Sequence, residues 1–160
     1  MSEKELNIEI SKSNVLFQIK KLGFITVKGN FEGIQGNIAF DKTDLENSNF
    51  KVSVSPKTVN TGNAKRDEHL LNEDFFKVSE FPKILFHSTS IKKENNMYLA
   101  VGKLTMLKET KEISIPFTLE NDVLEGAFSL NRKDYGLGSK FPGFFIGNNV
   151  EIFIKAKSNS

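Results

Sequence analysis

The groups that could do chemistry in this chain are few, and most lie within twelve residues. Arg66, Asp67 and His69 fall in the run Thr61-Gly62-Asn63-Ala64-Lys65-Arg66-Asp67-Glu68-His69-Leu70, and Asp74-Phe75-Phe76 follows. His69 and His87 are the two histidines. A general base or a zinc site needs convergent partners. Asp67 is two residues from His69, and on a helix such residues do not share a face. The expected role of His69 is therefore hydrogen bonding, with ligand contact as the alternative. His87, between Phe86 and Ser88, reads as a strand histidine with its hydrogen bonds satisfied. Arg66 and Asp67 suit a polar network that docks a helix, or, alternatively, an arginine facing an anionic head group.

Other chemistries lack their signatures. There is no Gly-x-Ser-x-Gly elbow, P-loop or dinucleotide glycine fingerprint. Cysteine is absent, which excludes disulfides, thiolate nucleophiles and cysteine metal sites. No catalytic residue, metal or cofactor is expected. The net charge is +2, from 22 basic and 20 acidic residues, without a block of like charge that would track a phosphate backbone. Nucleic acid is not an expected partner.

The 160 residues suffice for one domain with a full core, and no repeat or linker divides residues 1–160. The aromatic set is 15 Phe, 2 Tyr and no Trp. Phenyl rings supply apolar area without a polar edge, which suits a packed core or a greasy cavity. Nothing approaches the ~20 apolar residues of a spanning helix, so stable membrane insertion is not expected. The start, MSEKELNIEISKSNV, has no apolar run of signal-peptide length. The expected location is cytoplasmic, with periplasmic or secreted as the alternative for a mature form.

Alternation of apolar and polar residues predicts strands through Val15-Phe17-Ile19, Ile25-Val27-Phe31, Ile38-Phe40 and Phe50-Val52-Val54. It continues through Ile84-Phe86-Ile91, Leu99-Val101, Ile113-Ile115-Phe117-Leu119, Leu124-Phe128-Leu130 and Val150-Ile152-Ile154. Polar turns at Lys93–Asn96 and Glu120–Asp122 separate hairpins. Gly29, Gly33 and Gly36 mark bends or bulges of a curved sheet. The convincing helix covers residues 63–72, capped by Asn63 and held by packing on the sheet. The stretch Lys140-Phe141-Pro142-Gly143-Phe144-Phe145 reads as an apolar loop folded over a barrel mouth, or as a sticky patch if exposed.

In this order and spacing the motifs resemble the YceI-like family. Ser13-x-Val15-x-Phe17, Leu22-Gly23, Val27-x-Gly29-x-Phe31 and Gly36-x-Ile38-x-Phe40-Asp41 are similar to its early strands. Thr61-Gly62-Asn63 with Arg66-Asp67-x-His69-Leu70 and Asp74-Phe75-Phe76 is the most specific part. Phe81-Pro82-x-Ile84-x-Phe86-x-Ser88, Gly102-x-Leu104-Thr105 and Asn131-Arg132-x-Asp134-Tyr135-Gly136 complete the series. The resemblance implies an all-β, eight-stranded antiparallel lipocalin-like barrel with one short helix inserted near residues 63–72. It implies non-catalytic carriage, storage or sequestration of an amphiphilic lipid of polyisoprenoid, isoprenoid quinone or fatty-acyl type. Phe17, Ile19, Phe40, Val52, Phe86, Phe117 and Phe128 are expected to line the cavity or core, and Arg66 and His69 to make polar contacts near an opening. Lys12, Lys21 and Leu107-Lys108 depart from the family, where histidine or a His-Gly turn is common. Two other readings stand beside this one. One is an enzyme on a hydrophobic substrate, using His69 with Asp67 or Asp74. The other is a filled barrel whose Phe141, Phe144 and Phe145 loop forms a homodimer or partner surface.

Overall fold

The computed structural model describes residues 5–7, 13–32 and 34–157, with residues 5–7 described by their backbone. Lys12 and Gly33 lie outside the described residues. The strands are β1 (Glu5–Asn7), β2 (Asn14–Lys21), β3 (Ile25–Phe31), β4 (Ile34–Ala39), β5 (Asn49–Val54), β6 (Ile84–Glu94), β7 (Met97–Met106), β8 (Glu109–Glu120), β9 (Val123–Asn131) and β10 (Ile146–Lys157). They form one antiparallel sheet in the order β1-β4-β5-β6-β7-β8-β9-β10-β2-β3. The expected architecture is present, with ten strands among the described residues rather than eight. The three-residue β1, too short to show alternation, pairs with Asn37, Ile38 and Ala39 of β4.

The sheet curls because the two sides of its ladder order are one stretch of chain. β3 ends at Phe31 and β4 begins at Ile34, so three Cα steps hold them within about 11 Å. Backbone bonds of 3.0 and 2.9 Å between Asn30 and Asn60 tie β3 to the segment after β5. Gly36 sits on β4 at φ +134°, where a Cβ would lie 2.7 Å from the Val52 Cα, so no other residue fits this bend.

The antiparallel registers sort the connections into two ends of a tube. One end gathers the β2–β3 turn, residues 55–83, the β7–β8 turn and residues 132–145. The other gathers residues 40–48 and the β6–β7 and β8–β9 turns. Alternation places the predicted apolar faces inward. In β8, Ile115 and Phe117 are buried, while Ser114 is exposed. At the second end Phe40, Phe50, Tyr98 and Phe117 pack ring against ring, with centroids 5.0–5.9 Å apart, and seal the tube.

The helix, α1 (Ala64–Leu70), is shorter than the predicted 63–72. Asn63 caps it as expected, its side chain accepting from the Arg66 amide at 3.0 Å. It stops where Asn72 turns its side chain onto the Asp74 amide at 2.8 Å and Lys77 takes a left-handed φ of +45°. The turns that follow are anchored by Phe75 and Phe76, both buried.

Candidate functional site

Above the aromatic floor lies a cavity of about 610 Å³. Its walls are the inward faces of the strands, from Val15, Phe17 and Ile19 on β2 to Ile152 and Ile154 on β10. Its polar groups belong to the open end, where Lys20, Lys21, Thr61, Asn63, Lys65, Arg66, His69 and Arg132 border it. Among the described residues no aspartate or glutamate lines it.

Phe17, Ile19, Val52, Phe86, Phe117 and Phe128 border this cavity, and so do Arg66 and His69 at its opening. Phe40 does not. Its ring packs on Tyr98 and Phe117 below the floor, in core that the cavity does not reach. Phe117 is 0% exposed and belongs to both, with one face on the floor cluster and one on the cavity. His87 is exposed on the outer face of β6, opposite Lys51, rather than satisfied in the wall.

Arg66 and Asp67 meet through Thr61. Asp67 accepts from the Thr61 amide at 2.9 Å and from its hydroxyl at 2.6 Å. Arg66 donates from Nε to the Thr61 hydroxyl oxygen and from one terminal nitrogen to the Thr61 carbonyl, both at 2.8 Å. This is the helix-docking network expected from sequence, and it fixes the start of α1 at the opening. His69 lies 2.7 Å from Asp74, which also pairs with Lys140 at 2.9 Å. The hydrogen bond from His69, then the one from Lys140, holds the Asp74 carboxyl below the usual range. This staple joins the turns after α1 to the aromatic loop. Phe141 of that loop stacks on Phe75 at 5.3 Å and 9°.

Sequence reasoning placed Arg132 in a motif but gave it no task. It is 1% exposed and has no carboxylate partner among the described residues. All five of its N–H groups donate to backbone carbonyls: Nε to Gly147, one terminal nitrogen to Leu137 and Gly138, the other to Phe141 and Ile146, at 2.6–2.9 Å. The buried charge is spread over five dipoles, and burial lowers its pKa. Residues 137–147 are thus wrapped around one guanidinium, which presents Phe141, Phe145 and Ile146 to the cavity. Gly138, at φ +62°, completes the fit. A Cβ there would lie 2.6 Å from the Phe75 ring and 3.1 Å from Arg132. Beside it Tyr135 is 3% exposed, and burial, with Asp134 nearby, raises its hydroxyl to about 12. The aromatic density of residues 75–76 and 141–145 was the available sequence signal for this rim.

Among the described residues the one hydroxyl of the lining side chains, that of Thr61, is held by Asp67 and Arg66. Among the described residues no cluster of three or more His, Cys, Asp or Glu could hold a metal ion.

Known proteins resemble this chain in sequence and in fold. The chain is 32% identical over 151 residues to Protein YceI of Salmonella arizonae, covering 94% of this chain and 74% of that one. It is 33% identical over 120 residues to a UPF0312 protein of Yersinia enterocolitica and spans 60% of that protein's length. Among solved structures, BcnA of Burkholderia cenocepacia superposes with a TM-score of 0.87 at 18% identity, over 93% of this chain and 98% of that one. A polyisoprenoid binding domain from Saccharophagus degradans, implicated in plant cell wall breakdown, superposes with a TM-score of 0.68 at 10% identity, over 98% of each chain. The YceI-like domain profile matches residues 6–158, and the chain belongs to that family.

Proposed function

We propose that this protein binds one long-chain amphiphilic lipid, of polyisoprenoid, isoprenoid quinone or fatty-acyl type, and carries or stores it without chemical change. The observation that supports this reading is the division of the cavity: about 610 Å³ of apolar space, with polar side chains confined to its opening. That volume lies within the range of small-molecule sites. Each methylene moved from water into such a space contributes about 0.8 kcal/mol, so a chain needs no polar contact along its length. The head of the ligand would lie among Arg66, His69 and the lysines of the opening. The polyisoprenoid binding domain of similar fold agrees with this class of ligand. A purely packed barrel is disfavoured by the open volume, and an enzyme using His69 by its two candidate partners, since Asp67 is taken by Thr61 and Asp74 by the staple with Lys140.

Native mass spectrometry of the purified protein, with organic extraction, tests the reading. A long-chain species at one per barrel, or stoichiometric uptake of an added prenyl or acyl probe, is the expected result. Val52→Trp and Ile152→Trp, which fill the cavity from two walls, should abolish uptake in folded protein. A wild-type protein that is empty and takes up no probe overturns the proposal.

A further inference from the structure

The exposed large apolar side chains are unevenly placed. Of nine among the described residues, four lie on two loops at the open end, Leu22 and Phe24 in the β2–β3 turn and Phe144 and Phe145 in the loop before β10, and a fifth, Ile25, begins β3 beside the first loop. The Leu22 amide donates to the Phe145 carbonyl at 3.0 Å, so the two loops form one rim. Phe24 is 76% exposed and Phe144 80%. Both are loop-tip side chains that project rather than tile a flat patch.

The conformation of the turn adds a second observation. Leu22 and Gly23 have φ of +54° and +81°, the two left-handed positions of a type I′ turn. Asparagine or glycine suits the first position, and a polar residue suits its exposure. A leucine there is unfavourable on both counts, and a receiver outside the protein would offset the cost of its exposure.

Charge selects the receiver. Lys20 and Lys21 precede the first loop, Lys140 precedes the second, and Lys65 stands across the opening. Lys20 donates to Thr26, and none of Lys20, Lys21 and Lys65 has a carboxylate in ion-pair range among the described residues. Residues 20–25 and 139–147 contain no acidic residue. The carboxylates in the connections of this end, Asp67, Glu68, Glu73, Asp74, Glu80 and Asp134, all lie outside these two segments. Thr61 engages Asp67, His69 and Lys140 engage Asp74, and Lys77 pairs with Glu80. We infer that the rim docks on an anionic lipid bilayer, with Phe24, Phe144 and Leu22 among the acyl chains and the lysines at the head groups. The cavity opening then faces the membrane, and a lipid passes between bilayer and tube without crossing water. A second copy of the chain on this rim would instead cover the opening. Among the described residues no helix is long and apolar enough to span a membrane. The purpose of docking rests on the lipid-carriage reading. The contact itself does not.

Vesicle flotation tests it, using phosphatidylcholine vesicles with and without a phosphatidylglycerol fraction. Wild type should float with the anionic vesicles at low salt and be released by high salt. Phe24→Ser with Phe144→Ser should weaken binding by at least about tenfold while leaving the circular dichroism unchanged. Lys20→Gln and Lys21→Gln should each weaken it roughly fivefold, on anionic vesicles alone. Wild type that stays unbound at low salt, or a double serine variant that floats like wild type, overturns the inference. A dimer seen by sedimentation, lost in the double serine variant while vesicles are ignored, assigns the rim to a second copy instead. Protein that loads an acyl probe from solution yet ignores vesicles sinks docking and leaves carriage standing. Protein that floats but never loads does the reverse.

Discussion

The two ends of the tube solve the same backbone problem with opposite side chains. At the closed end the left-handed turn positions carry Asn95, Asn121 and Asp122. At the open end the hairpin turns carry Leu22 and Leu107, and Lys77 takes the same conformation in the turns after α1. The closed-end connection 40–48 is a polar loop fixed by its own side chains, with the Asp41 carboxylate bonded to the Thr43 amide at 2.8 Å and hydroxyl at 2.6 Å. The open-end loop 137–146 is apolar and is fixed by Arg132 from outside itself. Inside, the closed end is packed ring on ring while the open end leaves a cavity. Stability is thus concentrated at one end, and apolar exposure, which stability alone would remove, at the other.

The sharpest break in this contrast comes from truncating one phenylalanine at each end. Phe117→Ala removes a fully buried ring shared by Phe40, Phe50 and Tyr98, and should cost about 3–5 kcal/mol in urea unfolding. Phe144→Ala removes a ring that packs on little, and should change stability by no more than about 0.5 kcal/mol. Equal costs would mean that the rim is part of the core.

Arg132 comes next. Arg132→Met leaves five buried or half-buried carbonyls without their donor and should cost on the order of 3 kcal/mol. Arg132→Lys should recover little, because one ammonium cannot span acceptors from Leu137 to Gly147. Hydrogen exchange should rise across 137–147 in both variants and stay unchanged across 40–48. Uniform loosening of both ends would deny Arg132 its local role.

That residue also shows where sequence reading stops. The strands were legible because burial on one face leaves a period of two, as in Ile113, Ile115, Phe117 and Leu119. The Asn63 cap was legible because its bond is local. The five acceptors of Arg132 are backbone carbonyls 5 to 15 residues away, and carbonyls have no residue signature. Nor does alternation separate Phe40 from Phe86: both point inward, and only depth along the tube decides which one meets the cavity. The helix end was missed because Asn72 read as a continuation, whereas its side chain closes a turn. For Lys140–Phe145 the sequence offers either a loop folded over a mouth or an exposed sticky patch. The structure divides it, with Phe141 packed on Phe75 and Phe144 left outside.

Tyr135 gives the open end a dependence on alkali. Its hydroxyl has no hydrogen-bond partner among the described residues, and its pKa stands at about 12 in the folded protein against about 10 in an unfolded chain. The folded state therefore holds this proton more tightly. Its contribution is fully present below pH 10 and is lost as the pH rises to 12, on the order of 2–3 kcal/mol in all. Urea midpoints measured across that range should fall less in Tyr135→Phe than in wild type. Identical slopes would place the phenol in water.

The smallest effect tests the contrast most directly, because it exchanges the turn residues themselves. Leu22 and Asn121 both have φ of +54°, so the backbone demand is the same and only the side chain differs. Leu22→Asn should stabilise the protein by roughly 0.5–1 kcal/mol, since it relieves a left-handed leucine and removes exposed apolar surface. Asn121→Leu should destabilise by a similar amount, since the closed end offers that leucine nothing to meet. The same Leu22→Asn should weaken flotation with anionic vesicles. Opposite signs on stability and on membrane contact would mark Leu22 as a residue kept for what lies beyond the rim. If Leu22→Asn instead destabilises, the leucine packs within the turn itself. The two ends would then differ in local packing alone, and the argument from the left-handed leucine to a membrane would fail.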